Sequence, residues 1–330
     1  MTAARSARPL LLAAGIVVTA AGLYFAMRGV ELDDAADALA DSNLWWLVPS
    51  LAVFALGMWL RALRWWTLFE AGRRPPLREV TRAMFIGLFF NNVLPARAGE
   101  AARVISLHAR TNTSRAETIG TAVAERVFDV LGLLVILFAS YPWLPEISWL
   151  RAAAIFGVVV VLAVTVLVFA LVRYEARAIH WMLSPLRRIR REGFASRVET
   201  AAISATRGLV GMRDPDVALR GLGLTIASWI VLGASYWILM QGFSLELPFV
   251  AGLLVLVTIN IGLVLPATPG SLGVFEAATV VATNAFGVPQ AEGLSYALVL
   301  HMLNLIPFLV VGALLLGPSA LRRRRSRDDV

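Results

Sequence analysis

The sequence contains no cysteine. Disulfides, thiolate metal sites and cysteine nucleophiles are therefore excluded. Lysine is absent as well: all 30 basic residues are arginine, a bias that codon usage accounts for without a functional cause. The three histidines, His108, His180 and His301, are scattered without metal-ligand spacing. There is no Gly-x-Ser-x-Gly elbow and no Walker A loop; the Gly-rich Pro269-Gly270-Ser271-Leu272-Gly273 lacks the Lys-Ser/Thr that would complete one. These absences argue against ATP-driven transport by this chain alone, and neither a metal nor a cofactor is expected.

What is present is apolar. Hydrophobic residues make up 58% of the 330, and the mean hydropathy is +0.74. Several apolar runs approach the roughly 20 residues that a helix needs to cross a bilayer. The fold class is an all-α polytopic membrane protein. The net charge of +8 is clustered in loops, which reads as membrane orientation and not as nucleic-acid binding.

Along the chain, a retained first span over 9–27 is followed by an acidic amphipathic segment around Asp33, Asp34 and Asp37. Trp45 and Trp46 mark a membrane boundary, and span 2 covers 47–69. Arg61 and Arg64 near its end are read as snorkelling to head groups, with functional contact to lipid phosphate as the alternative. Span 3 covers 118–140 and span 4 covers 152–172. A basic amphipathic segment over 173–215 is expected on the inner leaflet, with a helix start at Asp214 or Asp216 around Pro215. Span 5 covers 217–240, span 6 covers 294–316, and the tail over 321–330 carries Arg322 to Arg325. By the positive-inside rule both termini are cytoplasmic.

Two apolar segments are interrupted by polar breaks. The first reads Asn91-Asn92-Val93-Leu94-Pro95-Ala96-Arg97-Ala98-Gly99-Glu100-Ala101-Ala102-Arg103. The second begins at Val264-Leu265-Pro266-Ala267, repeating Val93 to Ala96, and continues through Pro269 and Gly270 to Glu276. The apolar arm before the first break is expected to cover less than about 20 Å, too short to cross. Each break is read as a re-entrant hairpin, near 83–110 and near 249–286. About six spans plus two such hairpins give an inverted repeat, 1–150 and 151–330, within one transmembrane domain. That topology is frequent among alternating-access transporters.

After each break a half-helix begins, near Gly99 and near Gly270. Its free N–H groups and positive dipole end suit an anion, although glycines there also permit tight helix packing. Arg97 and Arg103 flank the first break with the bidentate geometry that phosphate favours. Asn91 and Asn92 are positioned to cap the broken helix or to donate to a head group. Asn91, Asn92, Arg97, Gly99, Arg103, Pro269, Gly270 and Gly273 form the candidate substrate site. Glu100, Glu125, Arg126, Asp129 and Glu276 form a candidate coupling or polar core, since intramembrane ionisable residues are expensive to retain. Pairing with Arg103 explains Glu100, whereas Glu276 has no obvious local cation.

Three motifs carry a family resemblance: Asn91-Asn92-x-Leu94-Pro95-x-Arg97-x-Gly99-Glu100-x-x-Arg103, Glu125-Arg126-Val127-Phe128-Asp129, and Pro266 to Glu276. In this order they resemble the lysylphosphatidylglycerol synthase transmembrane-region family. That family includes flippase domains of bifunctional enzymes, and some relatives are named as glycosyltransferase-like proteins of polyprenyl-phosphate pathways. The resemblance implies the flippase-like half alone, in the cytoplasmic membrane, acting on lipids with anionic head groups. Integral-membrane transferase activity, or partnership with a separately encoded lipid-modifying enzyme, are the alternatives.

Overall fold

The computed structural model describes residues 2–94, 98–145, 159, 214–264 and 268–328. Among them are ten α-helices and no strand: α1 (Thr2–Met27), α2 (Leu32–Ala40), α3 (Leu47–Thr67), α4 (Leu77–Val93), α5 (Gly99–Thr111), α6 (Arg115–Ser140), α7 (Pro215–Gly242), α8 (Phe249–Gly262), α9 (Val274–Asn284) and α10 (Gln290–Asp328). Local signals explain several ends. Asp214 caps α7 by accepting from Asp216 N–H at 3.0 Å, and Pro215 opens the helix where its missing N–H costs nothing. Asn112 closes α5 in the left-handed conformation (φ 54°).

Among the described residues three stretches are long and apolar enough to cross a membrane: Leu44–Thr67, Pro215–Gly242 and Gln290–Gly317. The other three expected spans do not meet that measure, for identifiable reasons. Helix α6 has 26 residues but carries Glu125, Arg126 and Asp129. In α1 the apolar helix with described side chains is Gly15–Met27, which is shorter. Span 4 and the basic segment over 173–213 lie outside the described residues.

Helices α3 and α7 form the central pair. Ser50 Oγ donates to the Ser235 carbonyl and Ser235 Oγ donates to the Ser50 carbonyl, both at 2.8 Å. Gly57 lets the Leu232 side chain approach so closely that a Cβ there would meet it at 2.7 Å. Around this pair lies one large apolar core that includes Phe54, Trp65, Met84, Trp229, Leu256 and Leu300. Helix α8 is apolar all round and correspondingly buried on nearly every side. The outward faces of α3 and α10 instead expose Val48, Leu51, Trp59, Ile306, Val310 and Leu314. Large apolar side chains facing out over such long helices suit contact with lipid.

The two interrupted segments each fold back on themselves. In the first, α4 and α5 run antiparallel in direct contact. A Cβ at Gly99 would lie 1.9 Å from the Gly87 carbonyl oxygen, so glycine is required for this approach. Helix α4 extends to 17 residues because it begins at Leu77, within the basic loop. Its length is therefore about 25 Å, longer than the arm expected from the apolar run alone, yet still short of a roughly 30 Å hydrocarbon core. In the second, α8 (14 residues) leads to a single 3-10 turn, Pro269–Ser271, and then to α9 (11 residues). The turn depends on two positive-φ glycines, Gly270 (φ 73°) and Gly273 (φ 79°). Helix α1 packs on α9 at this point: the Gly22 position meets the Gly273 carbonyl group, and Thr19 Oγ1 bonds Thr268 Oγ1 at 2.9 Å.

Two kinds of pairing recur around the two breaks. Helix α4 packs on α10, and α8 packs on α6. Helix α5 packs on α6, and α9 packs on α10. The breaks meet where the end of α4 touches the 269–271 turn, with the Asn92 carbonyl oxygen 4.0 Å from a Cβ position at Gly270.

Candidate functional site

Glu125 and Asp129 stand one helical turn apart on α6, on the face turned towards α3. Arg64 on α3 reaches both: Nη1 donates to Asp129 Oδ1 at 2.6 Å and Nη2 donates to Glu125 Oε1 at 3.0 Å. Arg103, one turn into α5, donates to the other oxygen of Glu125 and lies flat on Trp65, its guanidinium carbon 3.6 Å from the ring centroid. Arg64, Arg103, Glu125 and Asp129 are 1, 6, 4 and 6% exposed, so these charges are held away from bulk solvent by one another. Arg61 extends the network, 3.8 Å from Asp129 and stacked over Trp229 at 4.7 Å. Arg126 bridges Asp129 at 3.3 Å and Glu100 at 2.7 Å, and Glu100 also faces Arg103 at 3.6 Å.

Four guanidiniums thus meet three carboxylates, a surplus of one positive charge. Arg61, Arg103 and Arg126, together with Asn91, Gly99, Glu100 and Glu125, line a cavity of about 40 Å³ between α3, α4, α5 and α6. That is room for about three waters. Arg103 Nε is buried with no hydrogen-bond partner among the described residues. A polar ligand entering here meets a mixed wall that carries more positive than negative charge.

Several sequence expectations change in detail. Arg64 does not snorkel: two carboxylates one turn apart on a neighbouring helix hold it inside, and charge pairing outweighs the pull of the interface. The first amide of α5 is not open to an anion, because Gly99 N–H donates to Asn91 Oδ1 at 2.9 Å. Asn92 turns to its own helix and donates to the Leu88 carbonyl at 2.9 Å. Arg97 lies outside the described residues. The pairing expected for Glu100 with Arg103 is present, alongside a shorter contact to Arg126.

The second break is built differently. Glu276, 2% exposed in the first turn of α9, reaches back so that Oε2 accepts from Gly273 N–H at 2.6 Å. Its other oxygen lies 2.6 Å from Nδ1 of His301 on α10. The opposite ring nitrogen, Nε2, is 2.8 Å from the Gly270 carbonyl oxygen, and Phe275 stacks on the ring with centroids 4.5 Å apart. Glu276 therefore has a partner, 25 positions away in sequence. Pro269 opens the 3-10 turn beside this dyad.

The sequence reading left Arg61, Arg64 and His301 outside the candidate site. The signals existed: Arg61 and Arg64 lie one turn apart on α3, complementary to Glu125 and Asp129, and His301 is an ionisable side chain in the middle of an apolar span. Among the described residues no group of three or more His, Asp and Glu side chains is arranged to hold a metal ion.

Comparison with known proteins finds membrane proteins among the relatives. A UPF0104 membrane protein of Methanothermobacter thermautotrophicus is 24% identical over 283 residues, covering 82% of both chains. A UPF0104 membrane protein of Pyrococcus horikoshii is 24% identical over 298 residues, covering 83% of this chain and 88% of its own. Glycosyltransferase AglD of Haloferax volcanii is 26% identical over 160 residues, which is 46% of this chain and 26% of that protein. The lysylphosphatidylglycerol synthase transmembrane-region model matches residues 12–312. The chain is a multi-pass membrane protein belonging to that family.

Proposed function

We propose that this protein moves an anionic amphiphile, a phospholipid or a polyprenyl-phosphate-linked lipid, between the leaflets of the cytoplasmic membrane. The observation that carries this reading is the ion network at the first break. The four most buried charges of the network, Arg64, Arg103, Glu125 and Asp129, balance, and the surplus positive charge falls to Arg61 and Arg126, 21 and 52% exposed at the cavity, where a ligand of opposite charge can reach it. Arg61, Arg103 and Arg126 supply the charge, and Arg103 Nε is a donor without a partner among the described residues. Guanidiniums hold phosphate oxygens in a planar, bidentate geometry. The same network also ties α3, α5 and α6 together, so it is both site and scaffold.

Alternating access is supported by the correspondence of the halves. The pairings α4 on α10 and α8 on α6 exchange under a two-fold relation, and so do α5 on α6 and α9 on α10. In this reading the two interrupted helices move against the α3–α7 pair, and the arginine-rich ends keep both termini cytoplasmic.

A second reading is favoured by the partial likeness to Glycosyltransferase AglD. There the chain would act in lipid-linked sugar chemistry, as a transferase or as the membrane partner of a separately encoded lipid-modifying enzyme. The experiment that separates the two is a leaflet-exchange assay in proteoliposomes containing labelled phosphatidylglycerol or a polyprenyl phosphate. Accelerated exchange over empty vesicles is the expected result. Absence of exchange for every anionic lipid, with sugar transfer from a labelled donor, would replace transport by the second reading.

A further inference from the structure

The Glu276–His301 pair has a proton count that its geometry fixes. The Gly270 carbonyl oxygen can only accept, so His301 Nε2 at 2.8 Å must carry a hydrogen. Nδ1 and Glu276 Oε1 at 2.6 Å must also share one, whichever atom holds it. The dyad therefore stores one proton more than a carboxylate and a neutral imidazole. Glu276 Oε2 is already occupied by Gly273 N–H. The three contacts close a ring from Gly270 through His301 and Glu276 to Gly273, spanning both positive-φ glycines of the second break.

We infer that Glu276 and His301 form a proton-binding site whose occupancy holds the second break closed and couples lipid movement to a proton gradient. On release, the Nε2–H bond breaks, its electron pair stays on nitrogen and the proton passes to water past half-buried Gly270. The charge-assisted Nδ1–H to Glu276 contact is the stronger of the two and is retained. A lone pair on Nε2 then faces the lone pairs of the Gly270 carbonyl, and that contact opens. Adding a second proton to the dyad instead places it on Glu276, where it competes with Gly273 N–H. Either change loosens the 269–273 turn, which touches both Asn92 at the first break and Thr19 on α1.

No other charge among the described residues competes for this role. Helix α8 has no ionisable side chain. The described part of α1 that packs here contributes only Tyr24, which is 68% exposed. On α10, Tyr296 is committed to the Tyr236 carbonyl at 2.9 Å, and Glu292 is exposed. On α4, Arg78, Glu79 and Arg82 sit in the opening turns of the helix, at the opposite end from Asn92, and pair with one another.

The coupling role rests on the transport reading, but the proton switch is testable without a cargo. The cysteine-free background permits Ser271→Cys in the full chain in liposomes, with maleimide labelling normalised to Gly72→Cys so that the thiol's own titration cancels. Normalised labelling should rise severalfold on going from acidic to alkaline buffer, as the dyad gives up its stored proton. His301→Gln and Glu276→Gln should each abolish the pH dependence while leaving folded, labelled protein. Labelling that ignores pH, or that keeps its pH dependence in both variants, overturns the switch. Under an imposed pH gradient, leaflet exchange of phosphatidylglycerol should accelerate in the parent and not in either variant. A pH-dependent turn in a protein that moves no lipid would retain the proton site and discard the transport reading.

Discussion

The two breaks use charge in opposite ways. At the first, four arginines and three carboxylates from α3, α5 and α6 form a network with a surplus of positive charge and a cavity beside it. At the second, one carboxylate and one imidazole form a closed pair that carries no net charge, and the turn they hold is built on positive-φ glycines. A surplus of fixed charge suits a ligand that must be attracted. A balanced pair with one mobile proton suits a switch. The lesson is that a repeated Val-Leu-Pro-Ala framework can be fitted for different work by the residues after it.

The largest expected effect lies at the first break. Arg64→Ala leaves Glu125 and Asp129 buried with reduced compensation and should cost about 3–5 kcal/mol. Denaturant or thermal unfolding of purified protein would measure it. A loss smaller than that of Glu276→Gln would reverse the assignment of the first break as the more structurally committed one. Next come the glycines. Gly99→Ala drives a Cβ into the Gly87 carbonyl and should cost about 1–3 kcal/mol or more by forcing α4 and α5 apart. Gly270→Ala meets only the Asn92 carbonyl oxygen, at an ordinary 4.0 Å, and loses the ease of a positive φ, about 1–2 kcal/mol. Equal losses would erase the distinction between a packing glycine and a turn glycine.

The smallest stability effect belongs to Arg126→Gln. Its side chain is 52% exposed, so loss of the Glu100 and Asp129 contacts should change stability by no more than about 1 kcal/mol. Exchange of an anionic lipid should nevertheless slow, because the cavity wall loses its surplus charge. Unchanged exchange would remove Arg126 from the site and leave it a surface pairing residue.

Much of this was legible in the sequence because it rests on composition and local pattern. The apolar runs, the Asp214-Pro215 helix start and the interruptions at Asn91–Gly99 and Pro269–Gly273 all depend on neighbours in the chain. The partners of the charges do not. Arg64 meets Glu125 and Asp129 across more than sixty positions, and Glu276 finds His301 across a turn and a helix. Arg64 was read as snorkelling because, on one helix alone, an arginine near an end has an interface within reach. Only the packing of α6 against α3 supplies the alternative. The half-helix starts were read as open to anions because Asn91 and Glu276 do not announce that their oxygens will take the Gly99 and Gly273 amides.

The most direct test of the account is Arg61→Gln in the leaflet-exchange assay. Arg61 lines the cavity, is 21% exposed, and has only a long 3.8 Å contact to Asp129, so it is the arginine least needed to hold α3 and α6 together. The account predicts a folded protein whose exchange of phosphatidylglycerol falls by about tenfold, the equivalent of one charge-assisted contact of about 1.4 kcal/mol. A folded variant that moves the anionic lipid at the parental rate would contradict the assignment of the arginine-lined cavity as the head-group site.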